Sequence, residues 1–117
     1  MSVASVTTFP FETSTDVAVT TWAPLHQDDD GEAVRLAVYS DRSVQVSGTF
    51  GGASVTIGGS NDGETYHALT DTQGNALTLT GAALKAVIEL PIFLKPRVFG
   101  GDGTTSLKVV LSGRRSV

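Results

Sequence analysis

Apolar residues fall on every second position over much of this chain, and that period limits what it can fold into more than any other feature. From Val44 to Phe50, the residues Val44, Val46 and Phe50 share one parity while Gln45, Ser47 and Thr49 take the other, the pattern of a strand half buried against a core. Gly51 and Gly52 interrupt the run, after which Val55 and Ile57 alternate with Ser54 and Thr56, so the two stretches read as a hairpin. Ser60, Asn61, Asp62 and Gly63 form the next turn, because Asn, Asp and Gly tolerate the positive φ of tight turns; this predicts a returning strand from Glu64 to Leu69. Val17 to Trp22, Val34 to Tyr39, Leu77 to Thr80, Val87 to Phe99 and Ser106 to Leu111 carry the same β-branched or alternating character.

The Val87 to Phe99 stretch holds a conflict. Ile88, Leu90, Ile92 and Leu94 share one parity and Glu89, Lys95 and Arg97 the other, yet Pro91 and Pro96 cannot donate to a ladder. The stretch is therefore an edge, bent, or broken into two strands. Gly81 to Ala86 is the one candidate helical turn, too short to define a class. Eight or nine short strands set apart by Gly, Asn and Asp predict an all-β fold. The expected form is an antiparallel β-sandwich or jelly roll of about eight strands, with a small closed β-barrel as the alternative. Phe-Gly-Gly occurs at 50–52 and again at 99–101, each time ahead of a strand, which suggests two similar hairpins.

A chain of 117 residues makes one domain. Residues 1–16 carry Phe9 and Phe11 around Pro10 without a turn signal, and read as an extended N-terminal arm; residues 17–117 are the single β-domain. Charge excludes several partners. With 8 Lys+Arg against 12 Asp+Glu, net −4, and a basic pair only at Arg114 and Arg115, no clustered basic face is available and nucleic acid is not an expected partner. The 15 Thr, 11 Ser and 13 Gly take the place of charge on the polar faces of the strands. There is no run of 18 apolar residues, so no membrane span is expected. The first ten residues lack a secretory pattern, which implies a chain kept in a cytoplasm or released by lysis. Without cysteine there is no disulfide framework and no thiolate metal site.

A catalytic reading finds no support. His26 and His67 lie in neither a His-Glu-x-x-His nor a Gly-x-Ser-x-Gly spacing, so no enzyme is expected. Asp28, Asp29, Asp30 and Glu32 are the residues a hard cation would use, but their spacing is not that of a calcium loop, and consecutive side chains of an extended loop diverge. A solvated turn is expected there; if the loop binds anything, Asp28, Asp29 and Asp30 face a basic patch on a partner protein. Phe99 to Gly103 has no following helix and an acid where a phosphate cradle would want a lysine, so it reads as a hairpin loop. A sugar platform needs exposed aromatics. With Phe50, Phe93 and Phe99 read as core, Trp22 and Tyr66 remain as candidates.

The segments Ser43 to Gly63, with Gly-Thr-Phe-Gly-Gly and Gly-Ser-Asn-Asp-Gly, and Leu94 to Leu107, with Pro-Arg-Val-Phe-Gly-Gly-Asp-Gly, resemble small structural proteins of tailed bacteriophages. The likeness covers residues 34–115. It looks most like head decoration or cement proteins, which sit outside an assembled capsid and tie capsomers together. The resemblance implies a virion protein on the outer capsid surface, made in the host cytoplasm, with the major capsid protein and its own copies, as a homotrimer, for partners and with no cofactor. Phe9, Phe11 and Trp22 are then the candidate interface anchors, since aromatic side chains bury large areas at modest entropy cost. The alternative is a receptor- or carbohydrate-binding β module of a phage tail or fibre.

Overall fold

A computed structural model describes residues 6–10, 17–35 and 39–114. Ten strands follow in order: β1 (Val6–Pro10), β2 (Val17–Leu25), β3 (Val34–Arg35), β4 (Ser40–Thr49), β5 (Ser54–Ser60), β6 (His67–Ala68), β7 (Thr78–Leu79), β8 (Ala83–Ala86), β9 (Phe93–Phe99) and β10 (Ser106–Arg114). They make two antiparallel sheets, one ordered β1-β2-β10-β4-β8, the other β3-β9-β5-β6 with β7 also pairing β5. The alternation places the core between them: Val44 and Val46 of β4, Val55 and Ile57 of β5, Leu94 and Val98 of β9, and Leu107, Val109 and Leu111 of β10 all point inward. The sheets keep open edges among the described residues, so the architecture is the sandwich or jelly roll and not a closed barrel.

Several elements depart from the sequence reading, each for a local reason. Gly81 to Ala86 is not a helical turn, because Ala83–Ala86 pairs with Ser43–Val46 of β4, and a ladder partner outweighs a single turn that cannot nucleate alone. The strand expected over 64–69 shrinks to His67–Ala68. Here Asp62 Oδ1 accepts the backbone N–H of Glu64 at 2.8 Å and of Thr65 at 3.0 Å, taking donors a ladder would need. Of the expected strand over 34–39, Val34 and Arg35 pair with β9, and residues 36–38 lie outside the described residues. Of the expected arm over 1–16, Val6–Pro10 lies among the described residues and runs antiparallel to β2, Val6 opposite Trp22 and Pro10 opposite Ala18. It covers what would otherwise be an open edge of β2.

The proline conflict resolves as a break. Residues 87–92 follow an irregular path and β9 begins at Phe93. Pro96 stands inside β9, and its carbonyl accepts Gly31 N–H at 2.9 Å. Its missing donor points to that same side, where the neighbour is the 28–31 loop and not a full strand, so no ladder bond is lost to β5.

The two Phe-Gly-Gly turns converge at one end of the sandwich. The Thr105 hydroxyl donates to Phe50 O at 2.9 Å and accepts from Asp102 N–H at 2.9 Å. A Cβ on Gly51 would stand 2.9 Å from that hydroxyl oxygen, and one on Gly101 2.5 Å from it. Both glycines also have positive φ, 58° and 105°, a region other residues enter at a cost.

Candidate functional site

The three carboxylates of the acidic loop each take a different partner within the chain. Asp28 Oδ1 accepts Gly100 N–H at 2.7 Å. Buried Asp29 accepts His26 N–H at 2.7 Å, with His26 Nδ1 at 3.6 Å. Asp30 Oδ2 lies 3.0 Å from Lys95 Nζ. Backbone bonds from Val98 N–H to Asp29 O and from Gly31 N–H to Pro96 O dock the loop along β9. The loop is thus a clip onto the second sheet, and the diverging side chains leave Asp28 alone of the three well exposed to a partner.

Trp22 is also placed differently from its role as an anchor. It is 1% exposed, belongs to the core, and donates Nε1–H to Glu32 O at 2.7 Å, so it offers a partner no surface and no sugar platform. Phe9 lies on β1, and Phe11 lies outside the described residues. His26 sits against Asp29 while His67 lines the outer face of the second sheet, so the histidines belong to different places. Among the described residues no three His, Asp or Glu side chains converge as metal ligands.

What the fold does assemble is a shallow cup of about 280 Å³ on the outer face of the second sheet. Alternation builds it. With Val55 and Ile57 facing the core, Thr56 and Gly58 of β5 make the floor; with Leu94, Pro96 and Val98 buried, Lys95, Arg97 and Phe99 of β9 face outward together. Tyr66, His67 and Glu64 close the other rim. Lys95 Nζ lies 4.6 Å from the Tyr66 ring centroid and is held by Asp30; the Arg97 guanidinium lies 5.0 Å from the Phe99 ring centroid. Among the described residues no carboxylate pairs with Arg97. Phe99, read from sequence as core, is 47% exposed. Its parity with Lys95 and Arg97 is the signal that places it outside.

A second surface lies at the edge of the first sheet. Leu84 is 67%, Ile88 51% and Leu90 58% exposed, and Ala86 between them is exposed too. These even-numbered residues face out while Val87 and Pro91 are buried, the reverse of the usual inward apolar parity. The backbone is pinned along this stretch. Val87 N–H donates to Arg42 O, Ile88 N–H to Thr70 O, and Arg42 Nη1 to Pro91 O, all at 2.9–3.0 Å. Glu89 accepts from both the backbone and the hydroxyl of Thr70, which hold its carboxyl below the ordinary range. Burial pushes the Arg42 guanidinium down.

No protein-family model matches the chain, and no curated protein matches it. Solved structures do share the fold. A protein derived from the SPBc2 prophage superposes with a TM-score of 0.64 at 12% identity, over 88% of this chain and 98% of that one. An RmlC-like cupin protein from Desulfovibrio desulfuricans superposes at 0.50 with 8% identity, over 95% of this chain and 81% of that one.

Proposed function

We propose that this chain is a non-enzymatic structural protein of a phage particle, a decoration or cement protein that binds the outside of the head and stabilises contacts between capsomers. The observation that carries the reading is the fold shared with a prophage-derived protein along nearly all of that protein's length. The hairpin signatures at 43–63 and 94–107 support it from the sequence side. Its partners are the major capsid protein and two further copies of itself in a closed trimer, since closed symmetry confines such contacts to a finite ring.

The capsid contact is assigned to the stripe of Leu84, Ala86, Ile88 and Leu90. Contiguous exposed apolar side chains usually mark an interaction surface, and the outer edge of β8, which bears Leu84 and Ala86, is unpaired among the described residues and open to a further strand. The backbone bonds that pin this stretch keep it ordered before binding, which lowers the entropy lost on contact. The test is co-sedimentation of the purified protein with heads that lack it. Pelleting that saturates at a fixed ratio is expected, with loss in an Ile88→Lys, Leu90→Lys double variant that keeps the wild-type circular dichroism. Failure of the wild-type protein to pellet at any saturating concentration refutes the reading.

A further inference from the structure

We propose that the cup on the outer face of the second sheet binds a single saccharide unit that carries a carboxylate, with Arg97 pairing the carboxylate. This goes beyond the capsid role and does not depend on it. Charge at the cup is unbalanced. Lys95 is matched by Asp30 at 3.0 Å, whereas Arg97 has no carboxylate partner among the described residues of a chain with net charge −4. A guanidinium presents a planar fork of donors that fits a carboxylate bidentately, and its position 5.0 Å from the Phe99 centroid restricts its orientation before any ligand arrives. Glu64 on the rim adds one negative charge, which disfavours a polyanion and leaves the cup suited to one carboxylate.

The shape of the cup suits a single ring. About 280 Å³ lies just below the roughly 300–1,000 Å³ usual for small-molecule sites, room for one ring and no more. The floor is of small residues, Thr56 and Gly58, and the rim sets the apolar ring of Phe99 among Tyr66 and His67, which carry a hydroxyl and ring nitrogens. That mixture of a flat apolar wall with hydroxyl and nitrogen groups matches a sugar ring, which has a C–H face and a hydroxyl edge. An extended peptide is less well served, because β5 is already paired with β9 on one side and with β6 and β7 on the other, so no open ladder runs beneath the cup.

Gly58 makes the proposal testable. A Cβ there would project onto the floor and meet its nearest atoms, Tyr66 Cβ, His67 O and Lys95 O, at 3.6–3.7 Å, ordinary contact distances. Gly58→Val therefore fills the cup with a residue strands favour, and Gly58→Ala fills it in part. The full-length chain, isotopically labelled, is titrated with the methyl glycosides of N-acetylneuraminic acid and glucuronic acid, with methyl galactoside and with acetate. The amide spectrum is followed throughout. Saturable shifts at Gly58, His67, Lys95, Arg97 and Phe99 are expected for at least one acidic sugar. Affinity should be about tenfold or more lower for the neutral sugar and for Arg97→Gln, which lose the charge-assisted pair, and lower for acetate, which keeps that pair but lacks the ring. Gly58→Val should abolish the shifts, and Gly58→Ala should weaken them while the rest of the spectrum stays that of the folded protein. Absence of saturable shifts with both acidic sugars, equal affinity for acetate or galactoside, or wild-type affinity in both Gly58 variants overturns the proposal. An acidic peptide that binds the same residues more tightly than either sugar does so as well.

Discussion

Replacing Thr105 by valine removes one hydroxyl and keeps the shape of the side chain, which isolates what joins the two Phe-Gly-Gly turns. Thr105 is 1% exposed, and its hydroxyl serves two backbone groups, Phe50 O and Asp102 N–H, each at 2.9 Å. Two such bonds contribute about 1 kcal/mol each. Phe50 O keeps its bond from Ala53 N–H at 2.9 Å, so it is not orphaned; Asp102 N–H has no other acceptor among the bonds of the described residues. The added methyl of valine returns about 0.8 kcal/mol of apolar burial. The net is a loss of about 1 kcal/mol, or roughly 3–5 °C in thermal midpoint for a domain of this size. Urea denaturation should show a lower midpoint with an unchanged slope, and hydrogen exchange at Asp102 should accelerate. A variant as stable as wild type, with Asp102 still protected, would show that the hydroxyl does not join the turns and that packing alone holds them.

Two further predictions concern stability. Asp62 is pushed down to about 2, first by the Glu64 backbone N–H. Asp71 (through Asn75 N–H), Glu89 (through the Thr70 hydroxyl) and Asp102 (through the Thr104 hydroxyl) are also lowered. Each holds its proton less tightly folded than unfolded, so its contribution is complete above the unfolded carboxylate range of about 4 and fades as pH falls toward the folded value. Thermal midpoints should therefore drop as pH is lowered from about 5 to 2.5; a flat or rising profile counts against this. Gly48 has φ 115° and a Cβ there would stand 2.3 Å from Ser106 O, whereas Gly52 at φ 86° has nothing within 4 Å. Gly48→Ala should cost about 2 kcal/mol or more and Gly52→Ala about 1 in chemical denaturation, since only the first adds a backbone clash to the conformational cost. Equal costs would remove the clash from the account.

Much of the fold was legible because a strand's two faces are written in its parity. Val44, Val46, Val55 and Ile57 reach the core as the alternation requires, and the glycine pairs turn where their positive φ is needed. The site was less legible. Lys95, Arg97 and Phe99 share a parity that the sequence displays, but Phe99 reads as core by composition, and only the pairing of β9 with β5 sets it beside Thr56 and Gly58. Trp22 shows the opposite error. An aromatic near the start of the chain looks like an anchor until its position in β2, with its side chain in the core between the two sheets, is known.

The sequence by itself determined the class: alternation with period two, turn residues at short intervals and no helix of useful length leave an antiparallel β fold as the way to bury the apolar face. It also determined the shortage of charge on the polar faces of the strands. Tertiary structure alone decided which faces stay outside. The three aspartates become clips because the loop docks along β9, and Ile88 and Leu90 stay exposed because Arg42 and Thr70 hold their backbone with the opposite parity inward. Exposure is a property of long-range packing, set by residues far away in the chain. Local periodicity names two faces and marks the apolar one for the core, but it cannot say where distant contacts reverse that choice, as they do from Leu84 to Leu90.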